Sequence, residues 1–386
     1  MKIVAQVKLL PRSAYDADAM AATLRACNRG ARLASEIAFR TGKVRRNDLH
    51  DEVYYRLKAE FDLGAQAAVR TVKKVCDAYA TLAGNIRSGQ LTGKSRRKAE
   101  SKPIGFREDA AQPFDDRMLT WNLDDRTVSI WTVAGRIKGI PFVCSPQALE
   151  LLASRKGESD LVLRDGQWFL YATVELLEPP VSEPTGWIGV DLGIVNIATT
   201  SDGQIMSGRR VDRYRKRMRT TVANLQAKRT KSAKRRLKAL RRRESRFATD
   251  TNHCISKTIV TTAERTSCGI ALEDLKGIRQ RVTAKKDQRY RLHSWAFAQL
   301  GGFVEYKARR AGVAVVHVDP RNTSRQCSQC WHTHRSNRVS QSWFACRSCG
   351  SVMNADLNAS RNIAHRADAV WQRGRVNCPS TVRRHA

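Results

Sequence analysis

Two pairs of cysteines near the end of the chain constrain its local fold more than any other feature. Cys327 and Cys330 form one Cys-x-x-Cys pair, Cys346 and Cys349 form a second, and 15 residues separate the two pairs. Each such turn presents two thiolates to one side of a tetrahedral ion, so two turns complete a four-sulfur site. Because four sulfur ligands leave no open coordination position, we predict one structural Zn²⁺ at these cysteines.

The charge balance indicates the class of partner. The 386 residues include 70 Lys and Arg against 36 Asp and Glu, a formal net charge of +34. A field of this size attracts nucleic acid or an anionic membrane. No run approaches the roughly 18 apolar residues that a membrane span needs, and the alternation over residues 1–8 predicts a strand rather than a signal peptide. We therefore expect nucleic-acid partners, no membrane, and a location inside the cell.

Much of the excess charge lies in one segment. Residues 209–246 contain 18 Lys or Arg and two acids. A solvated helix face is the ordinary interpretation of a charge run. Like charges four residues apart repel each other on a helix, however, so such a one-sided segment favours contact with an anionic partner. We predict that this helical stretch contacts nucleic acid.

The remaining candidate metal ligands have ordinary interpretations. His332 and His334 lie between the cysteine pairs and are alternative zinc ligands, but an exposed position or one facing nucleic acid is the more usual role. The other six cysteines stand mostly beside apolar residues. In an intracellular protein this pattern predicts buried small side chains rather than disulfides: Cys27, Cys76, Cys144, Cys254, Cys268 and Cys378.

The hydrophobic period changes along the chain. Residues 11–102 carry apolar side chains at helical spacing, with a second helix capped at Asn47-Asp48, a third ending near Gly84 and an exposed basic linker over 85–102. From 103 to about 178 the period is two, and Asp165-Gly166 predicts a hairpin, so this part resembles a small β-barrel that the opening strand joins. Beyond the prolines at 179–184, strands and helices alternate.

Three acidic residues of this last region adjoin apolar elements. Asp191 ends a predicted strand, Glu273 ends a second, and Asp356 opens a predicted helix. Alone, Asp356 is best interpreted as a helix cap and Glu273 as a solvated strand end. Their coincidence in one basic region predicts instead that they bind two Mg²⁺ ions about 4 Å apart, one activating water and one stabilising the leaving oxygen of a phosphodiester. Carboxylate oxygens suit this hard ion.

Two neighbouring choices depend on side-chain direction. Asp274 follows Glu273 directly, but on a strand it would point to the opposite face, and Glu273 ends the apolar run. Glu273 is therefore the predicted ligand. Asn358 and Asn362 are four residues apart on one helical face, where they either orient a carboxylate or phosphate or form polar surface.

The order of these motifs resembles the TnpB proteins of bacterial and archaeal insertion sequences. Residues 189–193 (Gly-Val-Asp-Leu-Gly) resemble the first RuvC motif of that family, and residues 272–275 (Leu-Glu-Asp-Leu) resemble the second. Residues 322–324, the cysteine pairs and residues 356–363 resemble its zinc segment and third RuvC motif. The resemblance covers 186–366 in sequence and the first half only in layout, and Trp331 stands where the family commonly has Gly.

The resemblance implies a multidomain α+β and α/β fold. It implies a β-barrel wedge domain (1–10 plus 103–180), an inserted helical recognition domain (11–102) and an RNase H-like RuvC nuclease domain (181–386) with a zinc-binding insertion (322–351). It also implies an RNA-guided endonuclease that cuts double-stranded DNA beside a short motif. In this family Asp191, Glu273 and Asp356 would be catalytic, the guide RNA would come from the transposon end, and the protein would act in the cytoplasm at the nucleoid.

Other functions fit parts of this pattern. A guided repressor would bind guide and target without cutting, a compact type V CRISPR effector would take its guide from a repeat array, and a strand-transfer transposase would join DNA ends. All three acids are retained, which favours an active nuclease. A displaced single strand could stack on Trp343 or Phe344, unless these side chains pack under the zinc.

Overall fold

The computed structural model describes residues 1–240, 242–275 and 297–376. The chain divides into two compact units, Met1–Leu177 and a second unit that begins at Glu178. The predicted helix start at Trp295 and the predicted free cysteine Cys378 lie outside the described residues. Within the described ranges, every helix is too short or too polar to cross a lipid bilayer.

The first unit begins with a strand and then four helices. Ser13 caps the first helix by accepting a hydrogen bond from the Asp16 N–H at 3.2 Å, and Gly42 ends it at φ +72°. The second helix begins one residue before the predicted cap, and no side chain caps it. The third continues past Gly84, where its end was predicted. The helices are α1 (Ala14–Thr41), α2 (Arg46–Phe61), α3 (Ala65–Arg87) and α4 (Gly93–Glu100).

Helix α4 lies in the segment predicted as an exposed basic linker. None of its residues is buried, so the prediction of exposure is confirmed, and the structure adds that this part of the linker is helical. Arg96 and Glu100 form an ion pair at 3.0 Å one helical turn apart. Such pairs stabilise a short exposed helix by a few tenths of a kcal/mol, roughly 0.2–0.5.

The strands of the first unit form a seven-stranded antiparallel sheet in the order β2-β6-β7-β1-β5-β4-β3. The opening strand joins this sheet, as predicted, and the structure places it in the middle of the strand order. At the β6–β7 hairpin Asp165 and Gly166 both have positive φ, which is the turn their sequence predicts. Its strands are β1 (Lys2–Leu9), β2 (Gln112–Phe114), β3 (Leu119–Asn122), β4 (Thr127–Thr132), β5 (Gly135–Val143), β6 (Arg155–Arg164) and β7 (Gln167–Glu175), with helix α5 (Pro146–Ala153) between β5 and β6.

The sheet resembles an open barrel. Strands β2 and β3 are its two edges and do not pair with each other, so the barrel is not closed. Its inner face and helices α1–α3 share one continuous apolar core. Leu24 of α1, Val72 of α3 and Val7 of β1 are among the side chains fully removed from solvent in this core. The helices that interrupt the sheet in sequence therefore complete its packing in space.

The second unit contains a five-stranded mixed sheet in the order β10-β9-β8-β11-β12. Strands β8, β9 and β10 are antiparallel neighbours, whereas β8, β11 and β12 run parallel. Helices cover both faces, because strands buried on two sides cannot be stable otherwise. The strands are β8 (Trp187–Asp191), β9 (Asn196–Thr200), β10 (Ile205–Ser207), β11 (Gly269–Glu273) and β12 (Val315–Val318), and the helices are α6 (Arg209–Lys228), α7 (Lys231–Leu240), α8 (Arg243–Arg265), α9 (Phe297–Ala311) and α10 (Ala355–Val376).

Alternating side chains divide this sheet between its two layers of helices. Val190 and Leu272 pack in one apolar cluster with residues of α8 and α9. Ala271, whose side chain points to the opposite face of the sheet, packs with Ile363 and Ala367 of α10. Neighbouring residues on β8 and β11 therefore face different helices, and one face of the sheet belongs to α10.

The basic segment is helical, as predicted. It forms α6, α7 and the beginning of α8, and nearly all of its described Lys and Arg side chains are exposed. Arg215 is the exception, since it is largely buried and pairs with Glu244 at 3.2 Å. The ion pair ties α6 to α8. Contact of the exposed charges with nucleic acid remains a prediction.

Candidate functional site

Asp191 and Glu273 occupy equivalent positions on neighbouring parallel strands. Val190 is paired in register with Leu272, so the next residue of each strand lies at the carboxyl end of the sheet. Val190 and Leu272 point toward α8 and α9. Because side chains alternate, Asp191 and Glu273 point toward the face that α10 covers.

The third acid reaches the same edge from the start of α10. The side chain of Asn354 caps this helix by accepting hydrogen bonds from the N–H groups of Asp356 (2.9 Å) and Leu357 (3.2 Å). Asp356 is therefore not the capping residue, although its sequence position alone predicts that role. Its carboxylate instead accepts a hydrogen bond from Asn196 Nδ2 at 2.9 Å and lies 3.5 Å from Arg338 Nη2.

A glycine permits the close approach of α10 to β8. A Cβ built on Gly189 would overlap the carbonyl oxygen of Ser360 and the backbone nitrogen of Ala364. Only a residue without a side chain fits between this strand and this helix. Gly189 therefore fixes the position of Asp191, two residues further on, against the helix that carries Asp356.

The three carboxylates influence one another electrostatically. The pKa of Asp191 is raised to about 8, first by burial and then by the negative charges of Glu273 and Asp356, while Arg338 acts in the opposite direction. Burial also raises the pKa of Glu273, against the effects of a hydrogen bond from Thr323 and of nearby arginines. Such crowding of like charges is a frequent property of functional sites and favours a bound cation.

Two polar side chains orient these acids and were not identified from the sequence. Thr323, which is buried, donates its hydroxyl to Glu273 Oε1 at 2.5 Å. Asn196 opens β9 and bonds Asp356 across 160 positions of sequence. Thr323 belongs to a segment whose resemblance was noted, but nothing in the local sequence indicates either contact. Only the fold brings these residues to the carboxylates.

Arg338 is a third site residue that the sequence analysis missed. It lies between the cysteine pairs, its side chain is 29% exposed, and it lowers the pKa values of both Asp191 and Glu273. Its guanidinium also donates to the Gln341 carbonyl at 2.9 Å, which holds it over the acids. The only available signal was compositional, because residues 322–351 contain four arginines and no acid.

The four predicted zinc ligands converge. Their sulfurs all lie within 4.8 Å of one another, with Cys327 3.7 Å from Cys349 and Cys330 3.5 Å from Cys346. A regular tetrahedron with Zn–S bonds of about 2.3 Å has S···S edges of about 3.8 Å, whereas a disulfide would need about 2.05 Å. The spacing therefore fits a zinc ion.

This is the one such cluster among the described residues, and neither His332 nor His334 belongs to it. The pKa of Cys346 is lowered to about 7: burial acts against the thiolate, but N–H groups of Cys349 and Ser348 that donate to its sulfur outweigh it. Donation of this kind prepares a thiol for metal binding. The three carboxylates are not part of this cluster.

The cysteine-bearing segment, residues 322–351, is attached to α10 by two buried asparagines. Asn358 accepts from the Ser328 N–H at 2.9 Å and donates to the Gln326 carbonyl at 2.7 Å. Asn362 donates to the carbonyls of Thr323 (2.8 Å) and Gln326 (2.7 Å). The sequence left two roles open for these asparagines: orienting a carboxylate or phosphate, or forming polar surface. Neither role is observed, because both side chains are buried and bind backbone atoms of the cysteine-bearing segment.

The aromatic residues of the segment differ in exposure. Strands β13 (Trp343–Ala345) and β14 (Val352–Asn354) pair in an antiparallel ribbon beside a short 3-10 turn at Arg335–Asn337. Phe344 is fully buried beside Cys327 and Cys346, so it packs under the cysteines, whereas Trp343 is 51% exposed. Of the two predicted stacking residues, only Trp343 remains available.

Known proteins match this chain in both halves of the second unit. A family model described as OrfB_IS605, "Probable transposase", matches residues 169–277, and one described as "Cas12f1-like, TNB domain" matches 297–363. The CRISPR-associated endodeoxyribonuclease Cas12f1 of Sulfoacidibacillus thermotolerans is 40% identical over 129 residues, which cover 33% of this chain and 29% of that protein.

A second relative is matched over more of its length. The TnpB-like protein MJ0751 of Methanocaldococcus jannaschii is 32% identical over 195 residues, which cover 47% of this chain and 69% of that protein. The "mini-RNA-guided endonuclease CRISPR-Cas_phi3" has a solved structure that aligns with a TM-score of 0.52 at 10% identity, over 95% of this chain and 92% of that one, and this likeness concerns the fold alone.

The extent of these matches limits what they establish. The chain spans well under half the length of the Cas12f1 relatives, 29% of one and 37% of another. The match to MJ0751, by contrast, covers more than two thirds of that protein at over 30% identity. The residues that the two family models match, 169–277 and 297–363, contain all the motifs that carried the resemblance. The chain therefore belongs to the TnpB family.

Proposed function

We propose that this protein is an insertion-sequence-encoded, RNA-guided endonuclease that cuts DNA next to a short recognition motif. The observation that carries the proposal is the convergence of Asp191, Glu273 and Asp356 at one sheet edge from three distant parts of the chain. Relatives named as endodeoxyribonucleases and RNA-guided endonucleases support it. The proposed location is the cytoplasm of a bacterial or archaeal cell, at the nucleoid.

The second unit is proposed to be an RNase H-like nuclease domain. Strands β10, β9 and β8 are antiparallel neighbours, and β11 and β12 run parallel to β8. The three carboxylates stand on β8, on β11 and at the start of α10. Sites in open α/β sheets lie at the carboxyl ends of parallel strands, which is where Asp191 and Glu273 are. Residues 322–351 form the zinc-binding insertion of this domain.

The donor set of the site suits magnesium. Three carboxylates supply hard oxygen ligands, and the pKa of Asp191 is raised by burial and by the negative charges of Glu273 and Asp356, which a bound cation would neutralise. Asp191, Glu273 and Asp356 would hold two Mg²⁺ ions, which when bound activate water and stabilise the leaving oxygen of the phosphodiester. The four cysteines would hold one Zn²⁺, which has a structural role because no position is open.

The neighbours of the acids have separate tasks in this mechanism. Asn196 and Thr323 each donate one hydrogen bond to a carboxylate, which fixes the direction of its free oxygen. Arg338 places a positive charge at the edge of the acid cluster, where it can contact a backbone phosphate of the strand being cut. Its contribution would be to position the phosphate and to balance charge that develops in the transition state.

The remaining surface fits the proposed partners. The exposed basic side chains of α6, α7 and α8 are suited to the backbone of a guide RNA and of its hybrid with the target strand, with sequence read by base pairing. In the first unit, residues 1–10 with 103–180 are proposed as the wedge domain and 11–102 as the recognition domain that together read the short DNA motif. The guide is proposed to derive from the transposon end.

Purification with native flanking DNA tests the proposal. The full chain is co-expressed with that DNA, bound RNA is sequenced, and the complex is incubated with a randomised target plasmid in Mg²⁺ or EDTA. We expect Mg²⁺-dependent double-strand cleavage by the wild type, none by Asp191→Ala, and wild-type cleavage by Asp368→Asn. Asp368 is the matched control because it is an exposed aspartate on the same helix as Asp356.

Three outcomes contradict the proposal in different ways. Retained RNA and target binding without cleavage would make the protein a guided repressor. Bound RNA that maps to a repeat array would make it a CRISPR effector. Absence of bound RNA would refute guidance altogether.

A further inference from the structure

The turn that follows the first cysteine pair carries a residue that its backbone does not favour. Trp331 has φ +64°, in the left-handed region, and Gly350 occupies the equivalent place after the second pair at φ +70°. The two turns match in detail, since Trp331 N–H donates to the Cys327 carbonyl at 3.1 Å and Gly350 N–H donates to the Cys346 carbonyl at 3.1 Å. A bulky residue with this φ is strained, whereas Gly is not.

Neither the cysteine cluster nor the attachment to α10 requires the indole ring. The ligands are sulfurs, and Asn358 and Asn362 already bind the cysteine segment to the helix. Trp331 stands where the family commonly has Gly, and the turn is nevertheless the same as the one at Gly350. Strain of this kind, kept at an exposed position without a structural need, is characteristic of functional residues.

The ring of Trp331 forms a surface platform with His365 of α10. Their centroids are 3.9 Å apart with an interplanar angle of 27°, and Trp331 is 42% exposed. Arg361 is exposed one helical turn before His365, on the same face of α10. Residues 322–351 add four arginines and no acid, so the platform lies in a positively charged surface.

We propose that Trp331 and His365 form a stacking site for an unpaired nucleobase of a single-stranded DNA segment that leads to the carboxylates. The inference rests on the proposed function, because it names a contact of the strand that this site would cut. Flat π surfaces in a basic setting bind single strands by stacking with little regard to sequence. Bases in a duplex are already stacked and cannot use the platform.

The position of the platform suits this role. His365 follows Asp356 by nine residues on α10, a separation of about 13 Å along the helix axis. A nucleobase bound there would leave only a short length of the DNA strand between the platform and the three carboxylates. Arg338, on the same cysteine-bearing segment, lies 3.5 Å from the carboxylate of Asp356 and would contact the phosphates of that stretch.

The first test requires no variant. The probe is a 20-nucleotide single-stranded DNA that contains 5-iodouracil, which is irradiated with the zinc-loaded full chain without Mg²⁺, at a salt concentration that suppresses non-specific electrostatic binding. We expect crosslinks on the peptides that contain Trp331 or His365. Crosslinks that map only to other peptides would overturn the inference.

Three variants make the test quantitative. Trp331→Gly fits the turn without strain and removes the ring, so affinity for the oligonucleotide is expected to fall roughly 5- to 100-fold at constant salt. Trp331→Phe keeps a ring and is expected to retain most of the affinity. Val352→Thr replaces an exposed apolar side chain of β14 with a polar one of similar shape and is expected to bind like the wild type.

Two controls separate this inference from the proposed function. Zinc content and unfolding temperature, measured for each variant, show that the turn is intact. The salt dependence of binding is expected to stay unchanged in Trp331→Gly, because no charge is removed. Equal binding by Trp331→Gly and the wild type, or an equal loss in Val352→Thr, would refute the stacking site. Lack of DNA cleavage by the wild type would refute only the proposed nuclease activity and would leave the stacking site untouched.

Discussion

Replacing Asp191 with Asn is expected to stabilise the metal-free protein while it abolishes cleavage. The carboxyl of Asp191 has a pKa near 8 in the folded chain, raised by burial and by two neighbouring carboxylates from an ordinary value of 3.8. The folded state therefore keeps a proton that the unfolded state releases. An asparagine has almost the same shape and carries no charge, so it removes this conflict.

The size of the effect follows from the pKa. One pKa unit corresponds to about 1.4 kcal/mol, so the full difference sets a ceiling of about 5 to 6 kcal/mol on the free energy of unfolding. The three acids titrate together and share this energy, and we expect a gain of about 2 to 5 kcal/mol for Asp191→Asn above pH 8.

The sign of the pH dependence is fixed by the direction of the shift. Because the folded state binds the extra proton, wild-type stability falls as pH rises from about 4 to 8, by up to about 1.4 kcal/mol per unit. Asp191→Asn lacks this loss. The two proteins are therefore expected to be similar near pH 4 and to diverge progressively up to pH 8.

Urea unfolding at several pH values, in Mg²⁺-free buffer with zinc retained, measures the divergence. Asp368→Asn is the control and is expected to follow the wild type at every pH. Added Mg²⁺ is expected to stabilise the wild type and Asp368→Asn, by about 2.7 kcal/mol at a hundred times its dissociation constant, but not Asp191→Asn. A gap that does not change with pH, or a variant less stable than the wild type at pH 8, would refute the assignment of Asp191 as a destabilised carboxylate.

Two further predictions concern the cysteine-bearing segment. Arg338→Gln is expected to slow single-turnover DNA cleavage roughly 10- to 1000-fold, because it removes the positive charge beside the acids, and an unchanged rate would contradict that role. Cys346→Ser is expected to lose zinc, measured with a chromophoric chelator. It is also expected to increase hydrogen exchange at the Ser328 amide, which Asn358 otherwise holds. Retained zinc and unchanged protection in that variant would show that the segment folds without its metal.

The parts of the fold with a strong local signal were predictable from sequence. The apolar runs that end in Asp191 and in Glu273 predict two of the strands of the second unit, which the structure contains. The Asp165-Gly166 hairpin was equally clear, because both residues tolerate positive φ. Helix α5 was not predicted, although Ser145 caps it and Pro146 opens it, which are typical sequence signals of a helix start.

Contacts across long sequence distances were not predictable. Asn196 reaches Asp356 and Thr323 reaches Glu273 only through the fold, so nothing in either local sequence distinguishes these residues from ordinary polar ones. The same holds for Arg338. For Asn358 and Asn362 the helical spacing identified a shared face, but only the structure shows that this face receives backbone atoms of the cysteine segment.

The contact at Gly189 has a consequence for engineering. The distance between the strand of Asp191 and the helix of Asp356 is limited there by main-chain atoms and not by side chains. Repacking of the opposite apolar layer around Leu272 and Val304 therefore leaves that distance intact, so substitutions among these apolar residues are expected to preserve the arrangement of the acids. A single methyl group at residue 189, by contrast, pushes two active-site elements apart, and no substitution elsewhere can make room for it.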